Sequence, residues 1–84
     1  MDVRVRFFAS IRQALRRDDA VCSLPDHATV RDLLDQLCRE FPSLDEVRGS
    51  LAIAVNHDYA DDEQVLAPGD EVALIPPVSG GQRV

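Results

Sequence analysis

Lysine is missing from this chain of 84 residues: all nine basic side chains are arginines. Its absence removes Schiff-base and lysine-base chemistry from what the chain can do by itself. Long apolar runs are missing too. No stretch approaches the roughly 20 residues that a membrane-spanning helix needs. Charges at Asp2, Arg4 and Arg6 interrupt the start, so no secretory signal is expected and the chain reads as cytoplasmic. Cysteine is scarce. Cys22 and Cys38 form no CxxC pair and no zinc spacing, which gives them the expected role of small buried hydrophobes in a reducing compartment. Positive charge is outweighed, with a formal net charge of −6. Such a surface repels phosphate backbones, so nucleic acid is not an expected partner, and neither is a membrane.

What remains is enough for one small domain. Folding at this length buries roughly 60–65% of the unfolded chain's surface, which leaves no room for a deep substrate cavity. Val3, Val5 and Phe7 alternate with Arg4, Arg6 and Phe8, the pattern of a half-buried strand. A short helical pattern follows over residues 9–17, with Ile11 and Leu15 four apart. Asp18-Asp19 reads as a turn, and residues 20–24 alternate again as a strand that can return along the first. Pro25-Asp26-His27-Ala28 ends it.

Residues 29–41 carry the clearest element. Val30, Leu33, Leu34, Leu37, Cys38 and Phe41 fall on one helical stripe, and Arg31, Asp32, Asp35, Gln36, Arg39 and Glu40 take the other face. Thr29 is a good N-cap, Asp32 completes the pattern of a capping box, and Pro42 stops the helix. Residues 43–50 read as a connection with one helical turn. Leu51 to Val55 reads as a strand with its large residues on one face and its alanines on the other. Asn56-His57-Asp58 reads as a tight turn. Residues 59–66 read as an edge segment in which Val65-Leu66 makes a very short strand. Pro68-Gly69 suits a type II turn, and Glu71 to Ile75 is the last strand.

One long helix among four or five strands predicts an α+β domain with the helix on one face of a mixed sheet. The ubiquitin-like β-grasp, with its first and last strands central and parallel, satisfies this pattern. Residues 1–79 are assigned to that body and residues 80–84 to a flexible tail. Pro76-Pro77 ends the sheet, and in the tail Gly80-Gly81 carries no side chain. Two readings fit: a strip of backbone threaded into another protein's active site, or a frayed chain end.

Ala54-Val55-Asn56, the run from Val65 to Ala73 and the run Pro76-Pro77-Val78-Ser79-Gly80-Gly81 resemble the molybdopterin synthase small subunits, ubiquitin-like sulfur carriers related to the thiamine carrier. The opening strand followed by Phe7-Phe8-Ala9 fits the same pattern, so the resemblance runs from Val3 to Gly81. It implies that an E1-like adenylyltransferase spends ATP to adenylate the carboxylate of Gly81 and that a thiocarboxylate follows. The tail, with Pro77, Val78, Ser79 and Gly80 as binding residues, then enters the large subunit of the synthase and gives its sulfur to a cyclic pyranopterin phosphate on the way to molybdenum cofactor. The resemblance also leaves open a carrier for thiamine, cysteine or tungsten-cofactor synthesis, and a ubiquitin-like interaction module without sulfur transfer.

The residues agree with a carrier that has no active site of its own. A carboxylate needs activation before it reacts as an acyl donor. No nucleophile–base–acid arrangement has supporting context, and no bound cofactor is expected. His27 and His57 read as surface loop residues, and Asp61-Asp62-Glu63 as a solvated face rather than a metal site. The chain departs from the family at its end, where Gln82-Arg83-Val84 follow Gly81. Three readings are open: a peptidase removes them, they are foreign to the native protein, or sulfur transfer has been lost. A second surface is expected on the sheet face away from the helix. There Arg4, Arg6, Phe8, Ala52, Ala54, Ala73 and Ile75 would lie together, with Phe8 and Ile75 as partner-binding residues.

Overall fold

The computed structural model describes residues 1–77. Strand β1 (Asp2–Phe7) buries every second residue, and Val3, Val5 and Phe7 are almost inaccessible. It runs directly into α1 (Ala9–Leu15), a two-turn helix that ends where Arg16 adopts φ 58°. Strand β2 (Asp19–Ser23) returns antiparallel along β1, from Arg6 opposite Asp19 to Asp2 opposite Ser23. Asp19 therefore belongs to the strand and only Asp18 to the bend, a correction to the Asp18-Asp19 turn. The Arg4 guanidinium, 2.8 Å from the Asp19 carboxylate, helps to hold Asp19 in the ladder.

Helix α2 (Val30–Glu40) lies across the sheet with Val30, Leu33, Leu34 and Leu37 buried. Its start is fixed by local chemistry. The Thr29 hydroxyl accepts from the Asp32 N–H at 3.3 Å, and the Asp32 carboxylate accepts from the Thr29 N–H at 3.0 Å. Two of the donors that every helix start leaves unpaired are thereby satisfied. Thr29→Ala is expected to lower the domain's stability by about 1 kcal/mol without altering the fold, measured as a shifted urea midpoint at unchanged slope.

Two 3₁₀ turns, Pro42–Leu44 and Arg48–Ser50, lead to β3 (Ala52–Val55). Asn56 and His57, at φ 52° and 75°, make the two-residue turn whose twist suits a hairpin. The chain then forms β4 (Asp58–Ala60), paired with β3 from Val55 opposite Asp58 to Ile53 opposite Ala60. The short strand thus sits at residues 58–60 and not at Val65-Leu66, and Asp58 belongs to it rather than to the turn, because Asn56 and His57 alone close the hairpin. Val65 makes only an isolated bridge to Thr29. Gly69, at φ 83°, occupies the position where a type II turn needs a residue without Cβ, and the Asp70 N–H closes that turn on the Ala67 carbonyl at 3.1 Å.

Strand β5 (Glu71–Ile75) completes a sheet of order β2-β1-β5-β3-β4, parallel to β1 and antiparallel to β3. This is the β-grasp arrangement, with the first and last strands side by side in the middle. One continuous core fills the space between sheet and helices, and Val3, Val5, Val30, Leu33, Leu37, Val72 and Leu74 form its deepest part. Cys22 belongs to that core, and Cys38 is half-buried beside it.

Candidate functional site

Two features of β5 define the site. The first is its end. Ile75 pairs with Ala52 of β3, and Leu74 pairs with both Phe7 and Ile53. Beyond Ile75 neither proline has an N–H to donate, so the ladder stops, and Pro77 is already exposed. A central strand, held on both sides, thus delivers the chain to solvent at the end of the sheet where α1 begins. The expected tail residues Val78, Ser79, Gly80 and Gly81, and Gln82-Arg83-Val84 after them, lie outside the described residues.

The second feature is the face of the sheet turned away from α2. Arg6, Phe8, Ala54, His57, Tyr59, Glu71, Ala73 and Ile75 line a shallow groove of about 250 Å³ there. Its floor is low because alanines face each other across the strands, with Ala54 opposite Ala73. Tyr59 is cross-strand to Ala54 and forms one wall, 80% exposed. Phe8, 38% exposed, stands towards the other side. Ala54 is itself buried, although it lies outside the core between sheet and helix.

Arg6 determines how apolar this face is. Its guanidinium lies 5.4 Å from the centre of the Phe8 ring and 3.4 Å from the Glu71 carboxylate. The ring therefore meets solvent partly through a cation, and the two charges are tied together before any partner arrives. Of the seven residues expected on this face, the structure brings Phe8, Ile75, Ala54, Ala73 and Arg6 into one groove, whereas Arg4, paired with Asp19, and Ala52 are not among its lining residues. It adds Tyr59 and His57. Sequence reasoning missed Tyr59 because its strand has only three residues, too few to show alternation. The only hint was a lone aromatic next to a turn.

The remaining candidates are tied into the fold. Glu63 pairs with Arg31 at 2.6 Å, Asp61 accepts from the Glu63 N–H at 3.0 Å, and the Asp62 carbonyl accepts from the Arg31 N–H. Among the described residues no group of three or more His, Cys, Asp or Glu gathers in metal-binding distance. His27 and His57 are both exposed in turns with positive φ. Burial pushes the Cys22 thiol above its ordinary range. It does the same for Cys38, where the neighbouring Arg48 opposes it in part. Neither sulfur has the low-pKa surroundings of a reactive thiol. Among the described residues no helix is long and apolar enough to cross a membrane.

Comparison with known proteins gives a consistent picture. The pattern of the ThiS family matches residues 5–81. The molybdopterin synthase sulfur carrier subunit of Arabidopsis thaliana is 37% identical over 81 residues, covering 96% of this chain and 84% of its own length. Among solved structures, SAMP1, a small archaeal modifier protein from Haloferax volcanii, superimposes with a TM-score of 0.86 at 30% identity, covering 96% of this chain and all of the other. Subunit 1 or 2 of the molybdopterin-converting factor from Helicobacter pylori, solved as a complex of the two, superimposes at 0.71 and 32% identity, again over 96% of this chain and 100% of its own.

Proposed function

This chain belongs to the ThiS family, and from that premise we propose that it is the sulfur-carrier subunit of a molybdopterin synthase. The observation that carries the reading is the match to carrier subunits over nearly the whole chain, from the first strand to the glycine pair, at 37% identity. The fold suits the role. A five-stranded body holds its central strand on both sides, and after two prolines the sequence runs on through Ser79-Gly80-Gly81. The body contributes no catalytic group. Its task is to present one carboxylate to the active sites of other proteins.

In this reading an E1-like enzyme joins the Gly81 carboxylate to AMP from ATP. A sulfur donor then displaces AMP and leaves a thiocarboxylate. The glycines admit the tail to a channel too narrow for any side chain. The large subunit of the synthase binds the groove around Phe8 and Ile75 and receives the tail, and the sulfur passes to a cyclic pyranopterin phosphate. The Helicobacter pylori complex of subunits 1 and 2 supports such a two-subunit assembly. Chemistry at Gly81 requires that Gln82-Arg83-Val84 be removed first, the task of a peptidase.

The test is a mass measurement. With an E1-like enzyme, ATP and a sulfur donor, a chain ending at Gly81 is expected to gain the mass difference of one oxygen replaced by sulfur, and the chain ending at Val84 to gain nothing. A chain ending at Gly81 that stays unchanged with an enzyme active on another carrier would refute the reading. The likeness to SAMP1 favours a second reading, in which the activated glycine passes to an amine of another protein. Amide-linked products in a cell extract, in place of thiocarboxylate, would select it.

A further inference from the structure

Asn56 closes the turn after β3 and Asp70 precedes β5, yet neither lines the groove. Their side chains meet each other. The Asn56 Nδ2 donates to Asp70 Oδ1 at 2.9 Å, and Asn56 Oδ1 accepts from the Glu71 N–H at 3.0 Å. The other Asp70 oxygen, Oδ2, accepts from the Ala67 N–H at 2.8 Å. Asn56 sits at φ 52°, where glycine would suit the turn as well. What asparagine adds there is its amide.

The two halves of this latch are held differently. Asp70 belongs to a turn already fastened to β1. The Gly69 N–H donates to the Asp2 carbonyl and the Arg4 N–H to the Asp70 carbonyl, both at 2.9 Å. Asn56 belongs to the tip of the β3–β4 hairpin. There β4 is an edge strand of three residues, and short edges with a single neighbouring strand fray. A cleft of about 390 Å³, with Asn56, Tyr59, Gln64, Val65 and Asp70 among its walls, separates the hairpin from residues 64–70. The Asn56–Asp70 bond joins the two sides of that cleft. Both walls of the groove depend on this point. Tyr59 follows three residues after Asn56, on β4. Glu71, whose N–H Asn56 holds, reaches Arg6 at 3.4 Å, and Arg6 lies over the Phe8 ring.

We propose that Asn56 and Asp70 are positioning residues for partner binding. Their latch fixes the Tyr59 wall of the groove directly and the Phe8 wall through Glu71 and Arg6. The inference rests on the reading that this groove receives the large subunit. With the latch closed, a partner meets side chains that are already ordered in the free protein. With it broken, the hairpin tip opens and the partner must order Tyr59 as it binds. The body itself keeps its shape, because β3 and β5 remain paired below the latch through Val55 with Val72 and Ala54 with Ala73.

The test exchanges the two residues. Asn56→Asp, Asp70→Asn and the double exchange are made in a chain ending at Gly81, which keeps all the described residues. Each single change breaks a bond of the latch. Asn56→Asp sets two carboxylates against each other, and Asp70→Asn turns an amide donor towards another donor. The double exchange restores every bond with donor and acceptor reversed, at the parent's net charge. Amide hydrogen exchange compares β4 with the core, and calorimetric titration gives the dissociation constant for the large subunit. Both single variants are expected to exchange faster over β4, to keep the parent's rates at the buried Val5 and Leu74, and to bind roughly tenfold more weakly. The double variant is expected to return to within about twofold of the parent. Weaker binding by Asp70→Asn is the decisive result, since charge alone would give the two single changes opposite effects. Parent-like affinity in both single variants, with Phe8→Asp unable to bind, would overturn the inference and leave the groove as the interface. Faster exchange at Val5 and Leu74 as well, or no recovery in the double variant, would also overturn it. Normal binding by folded Phe8→Asp and Ile75→Asp would overturn the groove reading and this inference with it.

Discussion

Leu74→Ala should cost about 2–5 kcal/mol of stability, a large fraction of what a domain of this size has. Leu74 is fully inaccessible. It sits on the central strand with Phe7 beside it on β1 and Ile53 beside it on β3, so backbone on both sides is fixed by ladder hydrogen bonds. A cavity opened there cannot close by moving a loop, and the contacts it removes are not remade. Small domains have only about 5–15 kcal/mol in total. The expected reading is a melting temperature lower by on the order of 10–30 °C, with urea unfolding still a single transition. A loss under about 1 kcal/mol would show that the strand is not the anchored centre of the body.

Ile75→Asp, one residue further on, is expected to do the reverse: fold normally and fail to bind. Ile75 is on the opposite face of the same strand, half-exposed in the groove, and its backbone pairing with Ala52 survives the change. A carboxylate there stays in water in the free protein and costs little. In a complex it would be desolvated with no partner cation, since Arg6 already serves Glu71. The loss at such a position is about 2–4 kcal/mol, or roughly 30- to 1,000-fold in the dissociation constant for the large subunit. Phe8→Asp should act in the same way, because it also removes the ring under Arg6. Circular dichroism and calorimetric titration on the same samples separate folding from binding. Unchanged affinity in both folded variants would remove this face from the interface.

The contrast between neighbours 74 and 75 was legible in the sequence, because alternation along a strand assigns each side chain to a face. Other parts were legible for equally local reasons. Thr29, Asp32 and Pro42 bracket a helix by hydrogen bonds and sterics reaching only a few residues. Pro68-Gly69 and Asn56-His57 specify turns by the backbone angles they permit. The proline pair at 76–77 marked the end of the sheet by the donors it lacks.

The errors fell where pairing is non-local. Three residues at 58–60 became β4 because β3 was already in place to receive them, while Val65, with its better strand propensity, found only one bridge. Asp19 joined β2 because β1 offered it a partner, and Arg4 a charge. Local chemistry in the amino-acid sequence therefore determined the capped helix, the turns and the inward and outward faces of the strands. Only the tertiary structure decided that β5 lies between β1 and β3, that Tyr59 walls the groove and that Arg6 covers Phe8. Those facts depend on contacts between residues far apart in the chain, such as Arg6 with Glu71, whose geometry no short stretch of sequence contains.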